Sequence, residues 1–173
     1  MRITLLALAG ALLAAGAPSE YQVKAVFLYN FSQFVEWPAA AFADAGAPFA
    51  ICVLGSDPFG THLDEVVKDE KAGGRPMVAR RLASAGDSSG CHIVYVSASE
   101  SANLARVLED LEGRHVLTVS DMEAFTSRGG MVRLYTDRSR IKLRIGLGAA
   151  TAAGLSISSK LLRLAEIVPQ GDT

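Results

Sequence analysis

Apolar runs of strand length constrain this chain more than any other feature. Phe49-Ala-Ile-Cys-Val-Leu54, Cys91-His-Ile-Val-Tyr-Val-Ser97 and His115 to Val119 carry little polar alternation. Such runs fit strands buried on both faces. Helical spacing fills the stretches between them. Strands alternating with helices imply a parallel or mixed sheet with both faces covered. The expected fold class is α/β: one mostly parallel or mixed sheet of about six strands flanked by about five helices.

The remaining elements follow from local signals. Glu20 to Glu36 reads as a helix, with Val23, Val26, Phe27, Asn30, Phe31 and Phe34 on one broad apolar face. Tyr21, Leu28 and Tyr29 fall away from that stripe, either free for a partner or buried by another element. Pro38 stops the helix. Asp57-Pro58 reads as a cap and first position of a second helix, ended by Gly73-Gly74. Pro76 to Arg81 suits an edge strand. Ser97-x-x-Glu100 and Ser120-x-x-Glu123 resemble capping boxes that start two more helices. Gly130 to Tyr135 and Arg140 to Ile145 suggest a hairpin. Ala149 to Ala153 and Ser158 to Val168 complete the expectation as a broken C-terminal helix.

Composition narrows the function classes. The chain has 173 residues, 50% hydrophobic, with a formal net charge of −1. That size buries a sizeable core, and the apolar content excludes disorder. No basic stripe marks a nucleic-acid surface, so no nucleic-acid partner is expected.

The N-terminus has its own layout. Arg2 precedes an apolar run from Ile3 to Ala15, and small residues follow through Ala17. A spanning helix needs about 20 apolar residues. The shorter run reads as a secretory signal peptide over residues 1–17, cut near 16–17, with an uncleaved anchor as the alternative. Residues 18–173 then form a single exported domain. Cys52 and Cys91 are the only two cysteines. An even count in an exported chain favours a disulfide over two buried thiols. Closing that loop stabilises by about 4 kcal/mol in the chain-entropy model. Both cysteines fall at the start of an expected strand, so neighbouring strands would let the sulfurs meet.

Motifs for chemistry fall short. Gly55-x-x-x-x-Gly60 is followed by Thr61-His62, not by the lysine of a phosphate loop. Gly146-x-Gly148-x-x-Thr151 lacks the third glycine of a dinucleotide fingerprint, and no strand is expected after its helix. His62, His92 and His115 are dispersed. A disulfide would consume the thiolate that a zinc site at Cys91-His92 needs. No catalytic residue, metal or cofactor is assigned, and the chain is not expected to be an enzyme.

Ordered blocks carry a family resemblance. Tyr21-Gln-Val-Lys-Ala-Val-Phe-Leu-Tyr-Asn-Phe31, continuing to Phe34-Val-Glu-Trp-Pro38, resembles the opening signature of the YfiR family of periplasmic regulators. Cys52 to Gly60, Gly74-Arg-Pro76, Gly90 to Ser97, Val116 to Asp121 and Gly129-Gly-Met131 follow in the family's order. Gly154 to Ala165 is similar to its closing block. Lys24, Asn30, Trp37, Pro38, Gly154 and Lys160 are motif positions whose role the resemblance leaves open.

The resemblance implies a non-enzymatic role in the periplasm. Members bind the periplasmic part of an inner-membrane diguanylate cyclase and lower cyclic-di-GMP output, which restrains biofilm formation. It also implies an OmpA-like outer-membrane protein as a further partner, a homodimer, and redox sensitivity through the pair matched by Cys52 and Cys91. This chain departs from the pattern at Leu143-Arg-Ile-Gly146, where the family runs like Phe-Glu-Ile-Asn. Arg144 reverses a charge and Gly146 loses a polar side chain. The second cysteine pair of some members is missing. The alternative reading is a ligand-sensing module of another membrane signalling protein, such as a histidine kinase.

Overall fold

A computed structural model describes residues 17–169. The expected signal peptide lies almost wholly outside them. The first helix, α1 (Glu20–Phe34), starts at a capping box made by Ser19 and Gln22. It is followed by β1 (Val35–Glu36), β2 (Phe49–Leu54), α2 (His62–Val67), β3 (Lys71–Ala72) and β4 (Arg75–Leu82). Then come β5 (Ile93–Val96), α3 (Leu104–Leu111), β6 (Leu117–Ser120), β7 (Val132–Asp137) and β8 (Arg140–Ile145). The last elements are α4 (Leu147–Ala152), β9 (Ser156–Ile157), α5 (Ser159–Leu162) and β10 (Ala165–Ile167).

Eight strands form one mixed sheet in the order β10-β8-β7-β6-β5-β2-β4-β3. Its centre, β4-β2-β5-β6-β7, is parallel throughout. That is the 2-1-3-4-5 order of a doubly wound sheet. β2 is buried along its whole length. Its Phe49, Ile51 and Val53 face a core shared with Leu28 and Phe31 of α1 and Leu63 of α2. Ala50, Cys52 and Leu54 face the other core, with Leu104, Val107 and Leu111 of α3. The unbroken apolar runs are therefore the strands that meet helices on both faces. β1 pairs with β9 in a separate two-stranded ladder.

Local readings needed correction where tertiary contacts decided the outcome. α1 stops at Phe34, because Val35 and Glu36 pair with Ile157 and Ser156. Its buried face carries Lys24, Ala25, Leu28 and Phe31, while Val26 and Phe34 are exposed. Asp57 caps a turn by accepting the Phe59 amide hydrogen at 2.8 Å, and the helix begins only at His62. Gly73 and Gly74, both at positive φ, turn the β3–β4 hairpin and do not end α2. β3 covers only Arg75 and Pro76, so Val78 to Leu82 of β4 have no strand beyond them among the described residues and form an open edge, as expected for this segment.

Ser97 accepts the Ser99 amide hydrogen and opens tight 3-10 turns, with α3 beginning at Leu104. Ser120 starts no helix. Its hydroxyl donates to the Val96 carbonyl at 2.7 Å and accepts from the Met122 amide, which ties the loop to β5. The largest correction is at the C-terminal end. Ser158 to Val168 is one helical turn followed by β10, whose backbone pairs in parallel with Leu143 to Ile145. The free edge of β8 satisfies those backbone groups, and Leu164 is left 77% exposed.

Candidate functional site

Cys52 and Cys91 are bonded, with Cα atoms 6.0 Å apart and a sequence separation of 39. β2 and β5 are neighbours, but neither cysteine begins its strand. Cys52 is the fourth residue of β2, and Cys91 precedes β5. Both are buried on the α3 side of the sheet.

An aromatic box on the α1 side of the sheet surrounds the residue that follows Cys91. The His92 ring stacks between Phe42 and Phe49, at 4.4 and 4.7 Å between centroids. Its Nδ1 accepts the Ala50 amide hydrogen at 3.1 Å, and its buried Nε2 makes no well-formed hydrogen bond among the described residues. Burial pushes the imidazole pKa down to about 4, and the nearby Arg75 charge adds to that. Trp37 donates from Nε1 to the His92 carbonyl at 3.1 Å and meets Phe49 edge-on. Arg75 lies over the Phe42 ring and donates to the carbonyls of Asp44, Ala45 and Ala47, fastening the loop that closes the box. Gly154 sits nearby at φ +78°, where an added Cβ would lie 3.1 Å from His115 Nδ1 and 3.7 Å from Pro38 Cγ.

A second cluster occupies the carboxyl ends of the parallel strands. Lys24, on α1, donates to Asp121 at 2.7 Å and pairs with Glu20 at 2.6 Å. The Tyr21 hydroxyl donates to the same Asp121 oxygen at 2.9 Å. Burial would raise the Asp121 pKa, but the hydrogen bond and charge of Lys24 hold it below the usual value. Burial and then Asp121 push Tyr21 up to about 12. Tyr95 is also pushed up, chiefly by burial. Lys24 already faces two carboxylates, so it is placed as a clamp and not as a free base or nucleophile.

Doubly wound sheets hold ligands at the switch point, which here is the crevice beyond β2 and β5. The chain fills that crevice itself. Ser99 Oγ accepts the Ser56 amide hydrogen at 2.9 Å, and a Cβ on Gly55 would meet it at 2.4 Å. Among the described residues, no group of three or more His, Cys, Asp or Glu could hold a metal ion.

The motif positions do not converge on one point. Trp37 packs on Phe49 and bonds the His92 carbonyl on the α1 side, and Pro38, its neighbour in the chain, lies beside Gly154. Lys24 belongs to the opposite end of the sheet. Asn30 is half-buried on α1, and Lys160 is exposed on α5. Sequence reasoning missed Asp121 as the partner of Lys24. A lysine on the apolar side of a helix was the available signal, because a buried ammonium requires a carboxylate. It also missed Phe42 and Phe49 as the walls around His92.

Two solved structures share the fold. A conserved domain protein from Vibrio cholerae matches with a TM-score of 0.56 at 12% identity, over 87% of this chain and 60% of that one. An ABC domain in complex with L-Trp from Streptococcus pneumonia matches at 0.53 with 14% identity, over 69% and 55%. The chain thus spans about three-fifths of the length of these relatives or less. A likeness at that identity concerns the fold alone. A family description covers far more of the sequence than any single motif, running from Tyr21 through Glu166. By that match over residues 21–166, the chain belongs to the YfiR/HmsC-like family.

Proposed function

We propose that this chain is a periplasmic negative regulator that binds the periplasmic part of an inner-membrane diguanylate cyclase and lowers cyclic-di-GMP output. The observation that carries this reading is the family match over residues 21–166. The Cys52–Cys91 bond supports an oxidising compartment. Among the described residues, no helix is long and apolar enough to cross a membrane. In this reading residues 1–17 are an export signal and residues 18–173 act as one domain.

The mechanism is differential binding. A bound regulator moves the cyclase only by its preference for the inactive state, and a hundredfold preference corresponds to about 2.7 kcal/mol. A rigid surface supports such a preference, because little ordering entropy is lost on docking. The disulfide, the Arg75-tethered loop and the Lys24–Asp121 clamp all stiffen this domain. An OmpA-like protein and a second copy of the chain are further partners in the same reading.

The test is cellular cyclic-di-GMP in a strain lacking this gene, in its parent, and in a strain also lacking the diguanylate cyclase it is proposed to bind. A rise that disappears in the double deletion is the expected result. An unchanged level in the single deletion would overturn the reading and favour a ligand-sensing module of another membrane signalling protein.

A further inference from the structure

The face of β7, β8 and β10 that continues the α3 side of the sheet is strongly charged. It displays Arg133, Tyr135 and Asp137 on β7, then Arg140, Lys142 and Arg144 on β8, with Glu166 on β10. Four cations therefore face two acids, in a chain whose formal net charge is −1. Arg133 and Arg144 are direct cross-strand partners. Like charges in that position destabilise a sheet. The Nε atoms of both are buried and have no hydrogen-bond partner among the described residues. Each guanidinium therefore meets a like charge across the ladder and keeps unused hydrogen-bonding capacity.

The surroundings show what chemistry would satisfy it. The Arg133 guanidinium lies 4.8 Å from the centre of the Tyr135 ring, and that of Arg144 lies 5.8 Å from it. Arg144 Nη2 donates to Glu166 Oε2 at 3.0 Å, and the Tyr135 hydroxyl reaches the same oxygen at 3.4 Å. One carboxylate oxygen therefore already sits between Arg144 and Tyr135. Lys142 turns away to pair with Asp137. Arg133 makes no hydrogen bond or ion pair among the described residues, and its planar fork suits two parallel bonds to a carboxylate.

We infer that Arg133, Tyr135 and Arg144 form a carboxylate-binding site, in which Arg133 takes a second carboxylate and the exposed Glu166 holds the Arg144 side until that ligand arrives. The ligand chemistry is a carboxylate on a short flexible or apolar stem that can lie on the Tyr135 ring. It can be a free small acid or an acidic side chain carried on another polypeptide. Neither source depends on the cyclase reading.

The experiment uses the purified mature protein, titrated with glutarate, with the blocked dipeptide N-acetyl-Glu-Glu-amide, and with sodium chloride at matched ionic strength. A ligand that binds the folded state raises Tm by mass action. Glutarate or the dipeptide is expected to raise Tm beyond chloride. Affinity by calorimetry is expected to fall about tenfold or more in Arg133→Gln and to hold in Lys142→Gln, which loses the same charge. Glu166→Gln removes the resident competitor and is expected to bind more tightly, which gives a readout even if Arg133→Gln folds poorly. Binding of glutarate at least as tight as that of the dipeptide points to a free acid, and binding of the dipeptide alone points to a polypeptide. A response no larger than that of chloride, equal affinity in Arg133→Gln, or unchanged affinity in Glu166→Gln would overturn the site. Because no cyclase is present, that failure leaves the cellular test of the regulator reading untouched.

Discussion

Lys24 and Asp121 lie 97 positions apart in the chain and form a hydrogen bond of 2.7 Å. The lysine side chain is 1% exposed and the aspartate 15%. The pair fixes α1 against the loop that leaves β6. Removing one partner of a buried pair leaves an uncompensated charge and costs about 3 to 5 kcal/mol. Lys24→Met, which strands Asp121, is expected to lose stability on that scale in urea unfolding, and Asp121→Asn to lose less, because Glu20 still pairs with Lys24. The double variant Lys24→Met/Asp121→Leu should recover much of it. Equal loss in single and double variants would show that the charge is not what matters.

His92 sets an acid limb of stability. Its folded pKa is depressed to about 4 from an ordinary value of 6.5. Between those values the unfolded chain binds the proton and the folded chain does not. Stability is therefore full above about pH 6.5 and falls as pH drops through about 4, by roughly 3 kcal/mol. His92→Asn, which does not titrate, should be less stable at pH 7 but show a flatter profile from pH 6.5 to 4. Denaturant midpoints measured across that window check the slope. Asp121 adds to the loss at lower pH, since its folded pKa is also depressed.

The sheet's centre was legible because burial on both faces leaves a signature that no turn chemistry disguises. Phe49 to Leu54 and Ile93 to Val96 are apolar at every position and are central strands. The hairpin of β7 and β8 was equally clear, with Arg138 and Ser139 both at positive φ in the turn. β10 was illegible for the opposite reason. Leu164 and Ile167 are exposed, and the spacing of Leu161, Leu162 and Ala165 mimics a helix. Only the free edge of β8 makes that segment a strand. The face of α1 was misread because Lys24 looks solvated until Asp121 is placed beside it. The arginine pair was half legible: Arg144 stood out as a reversed charge, but its register with Arg133 belongs to the sheet.

The disulfide is expected to stabilise the fold without being open to reductant in the native state. Cys52 is wholly buried and Cys91 is 4% exposed. Attack by a thiolate needs access to one sulfur. Incubation with dithiothreitol under native conditions should leave both cysteines unlabelled by a maleimide, whereas labelling after denaturation should be complete. Cys52→Ala/Cys91→Ala should lose about 4 kcal/mol for the 39-residue separation. Rapid native labelling would mean that the α3 side opens far more readily than its packing suggests.

Gly154 ends α4 in a way that admits no side chain easily. The Gly154 amide donates to the Thr151 carbonyl and the Leu155 amide to the Ala150 carbonyl, the paired bonds of a Schellman cap. Ala150 and Leu155 are both buried in the core that α1 covers, which is the hydrophobic contact of that cap. The cap requires φ +78° at Gly154, and His115 packs against it with Nδ1 2.7 Å from the Ala153 carbonyl oxygen. Gly154→Ala therefore carries two costs: left-handed backbone strain of about 1 to 2 kcal/mol, and displacement of the His115 ring. The two separate experimentally. In Gly154→Ala/His115→Ala the contact is gone but the strain stays, so the glycine substitution should cost less on the His115→Ala background than on the native one. Thermal unfolding of the four proteins measures the difference. An identical cost on both backgrounds would assign the whole effect to φ and remove His115 from the account.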